Sequence, residues 1–147
     1  MAVLERTKRR ILSEQSRALE RRGIPHDRPD IRSVDQPTVR AVLDEARLND
    51  ADLSRASLVG TCLNRARLVG TNLTGANLWR AKLSGADLAG ANLTRSNLKE
   101  ADLLEAGLIE ANLTGANLNS AVLDRANLAR ARMVEAEVKS ARVQQAE

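Results

Sequence analysis

Leucine recurs at every fifth residue from Leu48 to Leu128, and Met133, Val138 and Val143 carry the spacing on without a slip. Two places before each of these positions stands a small residue, alanine except at Thr61, Thr71 and Ser96. The residue between them is often Asn or Asp, as at Asp52, Asn72, Asn92 and Asn112. The last two residues of each unit vary and are mostly polar.

A period of five suits neither regular element. A helix repeats every 3.6 residues, so leucines every five would spiral around it; a strand repeats every two, so they would alternate faces. All the leucines point inward only if each unit turns the chain by a constant angle. A quarter-turn per unit closes a square after four units, and about twenty residues then make one coil. The small residue two places before each leucine also fits inward, at the corners. Stacked coils spaced like paired strands lie about 4.8 Å apart, so five coils make a rod roughly 24 Å long. Gly at unit ends (Gly60, Gly70, Gly75, Gly85, Gly90, Gly115) suits corners that need permissive backbone. Asn and Asp suit turns through local hydrogen bonds.

Residues 1–45 do not keep the repeat, although Ala41–Glu45 (AVLDE) mimics one unit. Leu4, Ile11 and Ala18 recur at seven, as do Leu12 and Leu19, which predicts a helix over about residues 2–22 with an apolar stripe. Gly23 and Pro25 supply the stop. Residues 24–36 read as a linker. Asp35 and Pro37 open a short second helix over 37–45 that carries Val39, Val42 and Leu43 and is placed to cap the first coil. The domain division is thus 1–45 and 46–147.

Composition narrows the interior. The chain has no Phe, no Tyr and one Trp, with 43% apolar residues overall, so its core is built from Leu and Ala in a narrow, regular space. The formal charge is +4. The densest basic run, Arg6 to Arg10, is bracketed by Glu5 and Glu14, which reads as a solvated helix face rather than a nucleic-acid footprint. The single cysteine, Cys62, excludes an internal disulfide framework. No apolar run is long enough for a membrane span, and the N-terminus lacks a signal-peptide core, so a cytoplasmic location is expected.

The units ANLTG, ADLAG, ANLTR and ADLLE closely resemble the pentapeptide-repeat proteins, whose consensus is A(D/N)LXX. The resemblance covers residues 46–145. It implies an all-β solenoid, a right-handed quadrilateral β-helix of about five coils, here with an N-terminal α-helical extension or cap. Some members of the family bind DNA gyrase and protect it from quinolones by resembling DNA. The basic balance of this chain, its lack of Phe and its N-terminal extension all depart from that subgroup.

The leucine column is structural, so function falls to the outward positions. Sorting units by side gives one apolar column, Val69, Ala89, Ile109 and Ala129, as a candidate interaction surface. Trp79 is a candidate binding anchor or packs under the N-terminal segment. Met133, Val138 and Val143 sit at an uncapped end and are a candidate end-to-end interface. Leu4, Ile11, Leu12 and Leu19 are candidate helix contacts, with a partner or in a homodimer. The lone His26, the scattered carboxylates and the absence of a phosphate-binding glycine loop point away from catalysis. No cofactor, metal or small-molecule substrate is implied. The expected activity is that of a non-catalytic protein-interaction scaffold or regulator, with gyrase binding as the disfavoured alternative.

Overall fold

The computed structural model of the chain describes residues 43–146. Residues i and i+20 lie side by side throughout, joined by parallel bridges from Arg47–Arg67 to Val122–Arg142. A coil is therefore twenty residues of four units, and 46–65, 66–85, 86–105, 106–125 and 126–145 make five coils. Each side of the square offers one bridging residue to its neighbour. The wall is a ladder of single bridges rather than of long strands.

Hydrogen bonding explains why each position in the unit has its residue type. In the unit 76–80, the Ala76 amide closes a turn onto the Leu73 carbonyl at 3.0 Å, and the Asn77 amide donates back to Ala56 at 2.9 Å. The amides of Leu78 and Arg80 donate forward to Asn97 and Lys99 at 2.7 and 3.0 Å. That leaves the amide of Trp79, which donates to the side-chain Oδ1 of Asn77 at 3.2 Å. All five donors are satisfied, as burial beside an apolar core demands. The Asn or Asp preference of the repeat is thus a local cap. The same bond joins Asp52 to Ser54, Asp87 to Ala89 and Asp102 to Leu104.

The unit's last residue carries the corner. Every fifth residue from Glu45 to Gln145 has a positive φ, between 55° and 66°. With the turn bond from the third residue of one unit to the first of the next, this is the type II geometry. Glycine is the natural occupant, and at Gly70 an added Cβ would also stand 2.6 Å from Asp50 Oδ1. Yet fifteen of these corners hold Arg, Glu, Ser, Asp or Gln. Each of those side chains bears left-handed strain of about 1 kcal/mol or more.

The interior is a column of Leu and Ala, with Leu68 through Leu118 all fully buried. Two of the three small polar intruders differ in how they are served. Thr71 donates its hydroxyl to the Leu48 carbonyl at 2.8 Å, whereas the buried Ser96 Oγ has no partner. The two ends also differ. Leu43, Leu48, Leu53 and Leu58 are buried, but Val138 and Val143 in the last coil are 46% and 52% exposed.

One expectation is corrected at the N-terminal edge. Of the short capping helix expected over 37–45, residues 43–45 are described, and they form a repeat turn. The Leu43 and Glu45 amides donate to Cys62 and Asn64 in the next coil, and the Ala46 amide closes onto Leu43 at 3.0 Å. Leu43 is a core leucine in repeat register, so the repeat reaches at least back to it. The helix expected over 2–22, with Leu4, Ile11, Leu12 and Leu19, lies outside the described residues, as do the linker, His26 and the rest of the capping helix.

Candidate functional site

With leucine and alanine pointing inward, the outward side chains of the second, fourth and fifth unit positions make the surface. They stack in columns one coil apart. The structure brings Val69, Ala89, Ile109 and Ala129 into one such column, as the side sorting predicts. Val69 and Ala89 are half-buried, Ile109 is 41% exposed and Ala129 is exposed. Gly107 lies beside Ile109 in the same wall, between Asp87 and Asn127 one coil away on either side, so the apolar column is flanked by polar residues. The next side is polar and ordered. Thr74, Thr94 and Thr114 donate their hydroxyls to Asn72, Asn92 and Asn112 at 2.7, 2.6 and 2.7 Å.

Trp79 occupies the third side and is half-buried. The Arg80 guanidinium lies 4.6 Å from its ring centroid, and Arg80 Nε donates to Glu100 Oε2 at 2.7 Å. The hydrogen bond from Arg80 holds the Glu100 carboxyl below its usual range. The indole Nε1 is buried and outside strict hydrogen-bonding geometry, but it lies near enough to Glu100 to help lower that carboxyl. One ring face is therefore already engaged by a neighbouring cation, which makes Trp79 a weaker free anchor than its identity alone suggests.

The corner residues build a feature that reading single units misses. Arg80 pairs with Glu100, Arg125 with Glu105 and Arg130 with Glu110, at 2.7, 3.2 and 3.2 Å. Each pair joins corners one coil apart. The signal was present as opposite charges twenty residues apart, and it becomes visible only once the coil length is fixed. Such exposed pairs contribute little stability each, but they neutralise the acidic corners Glu100, Glu105 and Glu110.

Among the described residues, no group of three His, Cys, Asp or Glu is arranged to hold a metal ion. No helix among them is long and apolar enough to cross a membrane. Cys62 is half-buried in a bridging position opposite Lys82. Met133 is half-buried, and Val138 and Val143, on the inner columns of the last described coil, are exposed.

Comparison with known proteins agrees with this geometry. A family model described as pentapeptide repeats matches residues 39–75, 71–106 and 106–145. No curated protein matches the chain. Among solved structures, the pentapeptide repeat protein Rfr23 from the cyanobacterium Cyanothece 51142 is 36% identical, with a TM-score of 0.62. The match covers 63% of this chain and 63% of Rfr23, so this chain spans less than two thirds of that protein. The pentapeptide repeat protein alr5209 from Nostoc PCC 7120 is 32% identical over 70% of this chain and 84% of its own, with a TM-score of 0.58. QnrB1, a plasmid-mediated fluoroquinolone resistance protein, shares the fold at 20% identity, with a TM-score of 0.56 over 74% of this chain and 65% of its own. The chain belongs to the pentapeptide-repeat family, and its twenty-residue coils form the right-handed quadrilateral β-helix of that family.

Proposed function

We propose that the chain is a non-catalytic protein-interaction scaffold or regulator that presents one apolar column of a rigid rod to a protein partner. The observation that carries this reading is Ile109. It is a large aliphatic side chain, 41% exposed, stacked in one column with Val69, Ala89 and Ala129. Exposed aliphatics of that kind, when they sit together, mark contact surfaces. The Leu and Ala interior is filled, and catalytic sites favour concave pockets lined by convergent polar groups.

Gyrase binding by DNA mimicry fits less well. A mimic of DNA needs uncompensated negative charge, and here Glu100, Glu105 and Glu110 each face an arginine one coil away. The formal charge of the whole chain is +4. A likeness to QnrB1 at 20% identity speaks for fold alone.

Affinity capture from the native host tests the proposal, with the full chain and its Ile109→Lys variant as baits and label-based quantification of what each retains. The proposal expects a partner retained by the wild type and lost by the variant, with the two baits melting alike. Equal retention by both baits rejects this side as the contact. Inhibition of supercoiling by micromolar protein, or protection of gyrase from a quinolone, moves the reading to the alternative.

A further inference from the structure

Positive charge collects at one edge of the second coil. That coil, 66–85, carries Arg67, Arg80 and Lys82 and neither Asp nor Glu. Arg80 is held by Glu100. Lys82 stands on the side that ends at Gly85, and Arg67 on the adjoining side. Between them comes Arg65, the corner residue of the coil before. Its stem lies across Gly85, where an added Cβ would stand 3.5 Å from the Arg65 Cγ. Arg65, Arg67 and Lys82 are all exposed, and none has an ion-pair partner among the described residues.

Their positions explain why they stay unpaired. The corner arginines Arg80, Arg125 and Arg130 each meet a glutamate one coil away. Arg65 meets Gly85 instead, and no ion pair joins it to Glu45 on its other side. The carboxylates ahead of the three cations are engaged. Asp87 accepts from the Ala89 amide at 3.2 Å, Asp102 from the Leu104 amide at 3.1 Å, and Glu105 from Arg125 at 3.2 Å. Arg55 and Arg95 also lie over glycines, Gly75 and Gly115. The sides adjoining those corners present Asn72 and Asn77, or Asn112 and Asn117, where the Gly85 edge presents cations.

We propose that this edge binds a short acidic segment of a partner protein, with Arg65, Arg67 and Lys82 taking its carboxylate or phosphate groups. A guanidinium fork donates paired hydrogen bonds to either group, and a lysine adds a mobile point charge. The extent of the patch limits the ligand. Asp87 follows Arg67 and Asp102 follows Lys82 in the same columns, so the positive charge ends within one coil spacing, about 5 Å. A nucleic acid laid along the rod runs onto those carboxylates, and its binding calls for cations clustered along a whole face. Two or three anionic side chains fit. The inference stands apart from the Ile109 column, and probes without apolar residues test this edge by itself.

Fluorescence anisotropy with the full chain tests it. The probes are labelled peptides that differ only in a central run of glutamates, phosphoserines or glutamines, together with a short DNA duplex. A glutamate or phosphoserine peptide is expected to bind in the sub-millimolar range and to weaken as salt rises. The tighter of the two names the source of the charge, and the glutamine peptide does not bind. Arg65→Gln, Arg67→Gln and Lys82→Gln each weaken binding about threefold, and the triple variant does so roughly thirtyfold. All of them melt like the wild type, since each side chain is exposed and unpaired. Arg55→Gln removes the same charge at the diagonal corner and leaves binding unchanged. Failure of both anionic peptides to bind at millimolar protein overturns the proposal. So does an equal loss with Arg55→Gln, which reports net charge alone, or tighter binding of the duplex through the same three residues.

Discussion

Asn92 accepts two hydrogen bonds from Thr94, one from the amide at 3.1 Å and one from the hydroxyl at 2.6 Å. The pair sits mid-rod, and the amide has no other acceptor because the coil above and the coil below have taken the neighbouring groups. Asn92→Ala is expected to destabilise the fold by about 1 kcal/mol, near the worth of one net intramolecular bond. Thr94→Ala removes only the hydroxyl bond and costs less. Urea unfolding of the two single variants and the double one, read as a cycle, checks the coupling between the two positions.

Ser96 and Thr71 fill the same inner position on different sides, and their substitution to alanine has opposite signs. The Ser96 Oγ is buried without a partner, so Ser96→Ala removes a desolvation penalty and is expected to stabilise by about 1 kcal/mol. Thr71→Ala breaks a buried bond to the Leu48 carbonyl and is expected to destabilise by a similar amount. Thermal melts of the two variants decide it.

The corner conformation predicts a second pair of opposite effects. Ser120 has φ 60° and Gly90 has φ 63°. Ser120→Gly relieves left-handed strain and is expected to raise stability by about 0.5–1 kcal/mol, after the entropy glycine loses on folding. A Cβ at Gly90 meets nothing within 4 Å, so Gly90→Ala bears only the conformational cost of about 1 kcal/mol. Equilibrium unfolding of both variants measures the difference directly.

Acid should loosen the Trp79–Arg80–Glu100 cluster. The carboxyl of Glu100 is held below its ordinary value of 4.5 by the Arg80 hydrogen bond. A carboxyl lowered on folding stabilises the folded state at pH above its unfolded value. That contribution fades as pH falls from 4.5 through the lower folded value. Asp52, lowered from 3.8 chiefly by the Ser54 hydroxyl, acts in the same direction. Glu100→Gln is therefore expected to melt lower than the wild type at pH 7, with the gap closing below pH 4.5. A melting series from pH 7 to pH 3 follows it.

Much of this fold was legible because a five-residue period admits one solution, a constant quarter-turn, and because the Asn and Asp caps act within two residues. The apolar column at Val69 to Ala129 followed from the same arithmetic. The lower boundary was misplaced because Val42, Leu43 and Ala46 suit a helix as well as a repeat unit, and pairing with Cys62 and Asn64 decides between them. The strain at fifteen corners was hidden because Arg and Glu give no sign of a left-handed backbone, as the six glycines do. The Arg–Glu ladder was hidden because it joins residues twenty apart. Trp79 needed its neighbour Arg80 placed over the ring before its availability could be judged.

The central claim is that every coil closes on the next through the same backbone bonds, leaving function to the outward columns. Native-state hydrogen exchange tests it residue by residue. The amides of Leu83, Leu88, Leu93 and Leu98 should exchange only through global unfolding. Those of Thr94 and Lys99, held by side chains, should exchange sooner, and those of Met133, Val138 and Val143 soonest. Protection of Val138 and Val143 equal to that of Leu88 under these conditions, or fast exchange across Leu83 to Leu98, would contradict it.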